Sequence, residues 1–160
     1  MGTVRAKVVL KGTKDSEECV ALVDTGAAMT VIDSSLAETI GVTYTGRKRS
    51  LLSATGHRLE GEIAIVRELI VEGEVLDYEK VLRVEFSEEV RKVLRSLEVE
   101  DSLILGLTTV ELASFTPDTA TGRLRKVETF LFSHYVEGPK GERHWKWAQI
   151  FQRAQMQKVF

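Results

Sequence analysis

The chain of 160 residues holds a single cysteine, Cys19, so no disulfide can form within it. That absence fits a reducing compartment and sets aside the small disulfide-stapled secreted folds. No apolar run approaches the length needed to cross a bilayer, and the start, Met1-Gly2-Thr3-Val4-Arg5, reads as a strand and not as an export signal. The expected location is cytoplasmic. Net charge is only −2, which gives no footing for a nucleic-acid or anionic-membrane partner. The short basic run Arg47-Lys48-Arg49 reads as a solvated loop. The three histidines, His57, His134 and His144, lack metal-ligand spacing among themselves or with Cys19, so no metal or other cofactor is expected. No serine stands in a G-x-S-x-G setting, and no glycine-rich phosphate loop occurs. Cys19 lies in a strand-like run and reads as a small core residue rather than a nucleophile.

What is present is a hydrophobic fraction of 43%, enough for one domain with a real core. Val4, Ala6, Val8 and Leu10 alternate with polar neighbours, as a half-buried strand requires. A second strand runs from Cys19 to Val23. A short helix follows at about 34–40, capped by Asp33 or Ser34 and stopped by Gly41. Residues 50–54 and 58–66 form two arms of a hairpin around Thr55-Gly56. Further strands cover 69–71 and 75–86, the latter with Leu76, Tyr78, Leu82, Val84 and Phe86 on one face. A helix at about 87–98 opens on Ser87 with Glu88 and Glu89 in its first turn, and buries Val90, Val93, Leu94 and Leu97 as one stripe. Leu103 to Leu105 is a buried strand, and a short helix spans Gly106 to Ala113. A strand at 127–136 and an aromatic-rich, partly helical tail complete the chain. The expected organisation is a domain over 1–126 with an extension over 127–160.

The informative element is Asp24-Thr25-Gly26-Ala27, set between Val20-Ala21-Leu22-Val23 and Met29-Thr30-Val31-Ile32. A carboxylate between two core-like strands is costly unless it has a task, and Gly26 permits a tight turn. Such an arrangement holds one acid rigidly at the mouth of a sheet. Asp118-Thr119-Ala120 is the nearest echo, but it lacks the glycine and reads as turn chemistry.

With Asp24-Thr25-Gly26-Ala27 come Leu36-Ala37-Glu38-Thr39-Ile40-Gly41, the hairpin tip Ser53-Ala54-Thr55-Gly56-His57 leading to Glu60-Gly61, and Leu103-Ile104-Leu105-Gly106 followed by Thr109-Val110-Glu111-Leu112. Pro117-Asp118 and Thr121-Gly122-Arg123-Leu124 follow in turn. In that order they resemble the single-domain retropepsin-like aspartic peptidases over roughly residues 3–125. The helix at 87–98 is longer than the family pattern. The resemblance implies a mainly β, closed-barrel acid-protease fold with a few short α-helices. It implies an aspartic endopeptidase acting on peptides or unfolded protein.

The chain carries one Asp-Thr-Gly, whereas metal-free hydrolysis of this kind needs two carboxylates sharing a proton. A homodimer must therefore bring Asp24 from each copy together. Under the resemblance Asp24 is catalytic. Thr25, Gly26 and Ala27 support the loop: Thr25 locks it to its partner, and Gly26 offers an amide to a carboxylate. Ala27 lacks the hydroxyl of many two-lobed relatives, which implies a milder pH optimum than a gastric enzyme's. Ala54, Thr55, Gly56 and His57 form a flap over the substrate, and Ile104, Leu105 and Gly106 brace the acid loop from behind. Two other readings stay open: a peptide-binding or scaffolding domain that has lost turnover, and an unrelated barrel in which Asp24 only caps a turn.

Overall fold

The computed structural model describes residues 2–52, 58–128, 135–137 and 143–145. The hairpin tip and most of the C-terminal tail lie outside the described residues. The chain divides into two compact units, Met1–Val127 and Glu128–Phe160.

In the first unit, β1 (Val4–Lys11), β2 (Ser16–Asp24), β3 (Val31–Asp33), β5 (Arg58–Val71), β6 (Glu74–Val84) and β7 (Leu103–Gly106) close into a barrel. The ring runs β1-β2-β7-β3-β6-β5 and returns to β1, where Val8 pairs with Val71 and Lys11 with Glu68. β4 (Thr43–Leu52) lies outside the ring, paired to the far half of the 14-residue β5. Three helices, α1 (Ser34–Ile40), α2 (Glu88–Ser96) and α3 (Leu107–Leu112), fill connections. β8 (Phe115–Asp118) and β9 (Arg123–Lys126) form a separate hairpin. At its turn, Asp118 Oδ1 accepts from the amides of Ala120 at 3.0 Å and Thr121 at 3.4 Å, so this acid does turn work. The second unit contributes β10 (Tyr135–Glu137) paired antiparallel with β11 (Arg143–Trp145).

β1 shows the expected alternation, with Val4, Ala6, Val8 and Leu10 buried. They join Ile32, Ile40, Val66, Leu69, Val71, Val81, Leu103 and Leu105 in the main core. Because successive strand residues point to opposite faces, Val31 and Ile104, which pair across β3 and β7, face the other way. They meet Ile63, Leu82, Val84, Met29, Leu51 and Phe86 in a second apolar cluster.

Four local expectations are corrected. Arg47, Lys48 and Arg49 lie in exposed strand β4, not a loop. In α2 only Leu94 is fully buried, and Val93 is exposed. The segments at 58–66 and 69–71 are one continuous strand. The supposed common face of β6 is broken at Tyr78, which has φ 54° and is 70% exposed. The pleat changes phase there: Ala64 and Val66 are buried on one side of the bend in β5, Leu69 and Val71 on the other, and in β6 Val81 and Leu76 both pack on the main core.

Capping by Asp33 does more than start α1. Its carboxylate, 3% exposed as a residue, accepts from Ser35 N and from Phe86 N at 2.8 Å each and from the Ser35 hydroxyl. Arg91 of α2 meets it at 2.6 Å. Arg91 and Arg95 then reach Asp101 at 3.3 and 2.6 Å, and Arg95 also pairs with Glu88. α2 is thus pinned at the end of β3 that leads away from the acid loop. Burial alone pushes the Asp33 carboxyl up, but the hydrogen bonds from Ser35 and Phe86, together with Arg91, outweigh it and hold the group below its ordinary value. A folded value below the unfolded one adds stability above about pH 4, and that stability is lost as pH falls through the folded value. Asp33→Asn is expected to cost about 2 kcal/mol at neutral pH, since it removes the charge that Ser35, Phe86 and Arg91 satisfy and leaves Arg91 only Asp101. The difference from wild type should shrink as acid protonates Asp33, measured by thermal unfolding at a series of pH values. A gap constant down to strong acid would contradict it.

Candidate active site

β2 and β7 run parallel and side by side, with Leu22 opposite Ile104, Val23 opposite Leu105 and Asp24 opposite Gly106. The chain leaves β2 at Asp24, turns through residues 25–30, and re-enters the sheet as β3 on the other side of β7. The loop is therefore wrapped around the end of one central strand.

Within the loop the amide of Gly26 donates to Asp24 Oδ1 at 2.8 Å, and the amide of Ala27 donates to the Asp24 carbonyl at 3.1 Å. Asp24, Thr25 and Gly26 are exposed on the single chain, and Ala27 is half-buried. The loop's carbonyls are also committed. Ala27 O accepts from Leu107 N at 2.8 Å and Ala28 O from Thr108 N at 3.1 Å. These are first-turn amides of α3, which have no partner inside their own helix, so helix and loop satisfy each other.

Gly106 is held against the loop closely enough to exclude any side chain. A Cβ there would lie 2.2 Å from Met29 C, 2.5 Å from Met29 O and 2.6 Å from Thr30 N. The two aliphatic residues before it, expected to pack behind the loop, face opposite sides of the sheet. Leu105 is buried in the main core, while Ile104 lies half-buried in the second cluster beside Met29 and Val31.

Two site residues were missed from sequence. Thr30 and Thr109 are buried, and their hydroxyls meet at 2.8 Å. Thr30 Oγ1 also accepts from Gly106 N at 3.0 Å. The available signal was a lone threonine entering the apolar run Val31-Ile32, matched by another threonine in the first turn of α3.

The hairpin arms pair as expected, from Lys48 opposite Glu62 to Leu52 opposite Arg58. The tip residues Ala54, Thr55, Gly56 and His57 lie outside the described residues. A cavity of about 500 Å³ lies along the arms, lined by Lys48, Arg49, Ser50, Glu60, Gly61, Glu62 and Arg83. None of these belongs to the acid loop.

The rival nucleophile is weak. Burial first, then Glu100, Glu17 and Glu18, push the Cys19 thiol up to about 12, so thiolate is scarce at neutral pH. Among the described residues no cluster of three or more His, Cys, Asp or Glu side chains could hold a metal, and no helix is long and apolar enough to cross a membrane.

A closed six-stranded barrel with an Asp-Thr-Gly loop wrapped around its central strand defines a retropepsin-like aspartic peptidase fold. The family model described as aspartyl protease matches residues 6–109, and the chain belongs to that family. Among solved structures it is similar to the retroviral protease-like domain of Ddi1 from Leishmania major, at 15% identity over 79% of this chain and 89% of that one, with a TM-score of 0.47. It is also similar to a retropepsin-like aspartic protease from Rickettsia conorii, at 16% identity over 73% and 88%, with a TM-score of 0.44. No curated protein matches the sequence.

Proposed function

We propose that the protein is an aspartic endopeptidase whose catalytic pair is Asp24 from each of two identical chains. The observation that carries this reading is a rigidly held yet solvent-open carboxylate, fixed by the Gly26 amide at 2.8 Å in a loop braced by β7 and α3. A group that served only to cap a turn would not need that brace. A single chain offers one such acid, and peptide hydrolysis by this route needs two: one carboxylate takes a proton from water while its protonated neighbour gives one to the carbonyl oxygen. Two like charges at close range share one proton more readily than both ionise. Thr25, exposed beside Asp24, would bind the partner loop. The hairpin from β4 to β5 would close over an extended peptide. A reducing compartment such as the cytoplasm suits the free Cys19.

The test is cleavage of an unfolded protein followed against enzyme concentration and pH. Specific activity should fall on dilution as dimers dissociate, in step with the mass seen by sedimentation. With alanine at position 27, the activity maximum should lie well above about pH 2. Activity that stays constant while the protein becomes monomeric would end the shared-dyad reading.

A silent scaffold would need α2 or the aromatic-rich tail to block the cleft or remodel the interface, and most of that tail lies outside the described residues. α2 is instead tied to Asp33 and Asp101, and no feature of it favours a blocked cleft.

A further inference from the structure

Beneath the acid loop a row of hydrogen bonds points in one direction. Gly106 N donates to Thr30 Oγ1 at 3.0 Å, Thr30 Oγ1 donates to Thr109 Oγ1 at 2.8 Å, and Thr109 Oγ1 donates to Glu79 Oε1 at 3.3 Å. The row starts at the residue paired with Asp24 across β2 and β7 and ends on a carboxylate in β6. Each hydroxyl gives its one proton onward and accepts with a lone pair. A terminal acceptor therefore fixes the orientation of every rotor before it, and its charge strengthens each bond along the row.

The backbone is bent at the point where Glu79 joins. Tyr78, the preceding residue, has φ 54° inside a strand, a conformation that is strained for a bulky side chain. The bend is where β5 and β6 change pleat phase, and it leaves Glu79 opposite the fully buried Val66. Surface strands do not need this device, and a glutamate is an expensive residue to bring to the edge of a core.

We propose that Glu79 is a positioning residue for catalysis, setting the geometry of the Asp24 loop through Thr109, Thr30 and the Gly106 amide. This rests on the peptidase reading. Glu79 acts through Thr109 and not on Asp24 itself; it holds the two limbs of the loop, 24–30, at a fixed separation around β7. Burial raises the Glu79 carboxyl above its ordinary value, opposed by the Thr109 hydrogen bond and by Lys80. Lys80 is on its own strand, α3 presents Thr109, and β5 presents Val66.

Two measurements test it. Glu79→Ala and Thr109→Val should each lower kcat about tenfold, with KM within about twofold, and the double variant should be no slower than either single. Independently, in 15N-labelled protein carrying Asp24→Asn, the Gly106 amide signal should shift as Glu79 titrates, and adding Glu79→Gln should remove that shift. Variants that lose thermal stability but keep kcat, or whose effects on kcat add, would overturn the proposal. So would a Gly106 amide indifferent to Glu79→Gln. If the native chain cleaves no peptide and Asp24→Asn behaves identically, the peptidase reading is what has failed. The amide titration still decides whether Glu79 governs the loop.

Discussion

Asp24→Asn is expected to reduce peptide cleavage at least about a thousandfold while leaving fold and self-association intact. The substitution keeps size and shape, so an amide oxygen can still accept from the Gly26 amide, which donates to Oδ1 at 2.8 Å. What is lost is the ability to hold and exchange a proton. Asparagine can neither deprotonate water nor supply an acidic hydrogen to the carbonyl oxygen. The proposed pair shares one proton and carries one net negative charge, so replacing it with two neutral amides should leave the proposed dimer at least as stable. Mixing the variant with wild type then gives a sharper readout. Mixed dimers carry one carboxylate, so activity should fall further than simple dilution by an inert protein predicts. Sedimentation of the variant and cleavage of an unfolded substrate check both parts. Undiminished turnover by the purified variant would remove Asp24 from the chemistry.

Gly106→Ala is expected to destabilise the chain by about 3 kcal/mol or more and to abolish activity with it. The added carbon would sit 2.2 Å from Met29 C and 2.5 Å from Met29 O, and these are main-chain atoms that cannot rotate aside. Torsional preference does not enter, because φ at Gly106 is −83°, ordinary for alanine. The penalty is purely steric. Relief requires the acid loop and β7 to separate, which would break the 3.0 Å bond from Gly106 N to Thr30 and the two bonds from α3 to the loop carbonyls. Urea unfolding followed by circular dichroism measures the first effect. A stability within about 0.5 kcal/mol of wild type would show that the loop yields freely, and would undo the claim that β7 holds it rigid.

The parts legible in the sequence are those written in short range. The alternation of β1, the acid between two apolar runs, the Asp33 cap and the left-handed Gly41 (φ 74°) ending α1 each depend on a few neighbours. Pairings between distant segments were not legible. Alternation in β1 says that one face is buried, but not that Val8 meets Val71 to close the ring. The phase change at Tyr78 was hidden because nothing about tyrosine announces positive φ; tertiary packing imposes it. α2 misled because its spacing fits a buried stripe, whereas arginines binding Asp33 and Asp101 attach it with little apolar cover. Within the candidate site, Asp24, Gly26 and Gly106 were named from the motif and the resemblance. Thr30 and Thr109 were not, nor was Glu79, the positioning residue proposed above, since threonine and glutamate occur everywhere and only their convergence in the fold marks them.

β4 is the outermost strand of the sheet, and among the described residues its outer side has no strand partner. Such a margin invites another molecule to add itself by backbone pairing, the first step toward fibrils. Arg47, Lys48 and Arg49 stand exposed along that margin. Two copies approaching edge to edge there would bring like charges into register and repel. The basic triplet would thus oppose runaway stacking along this margin.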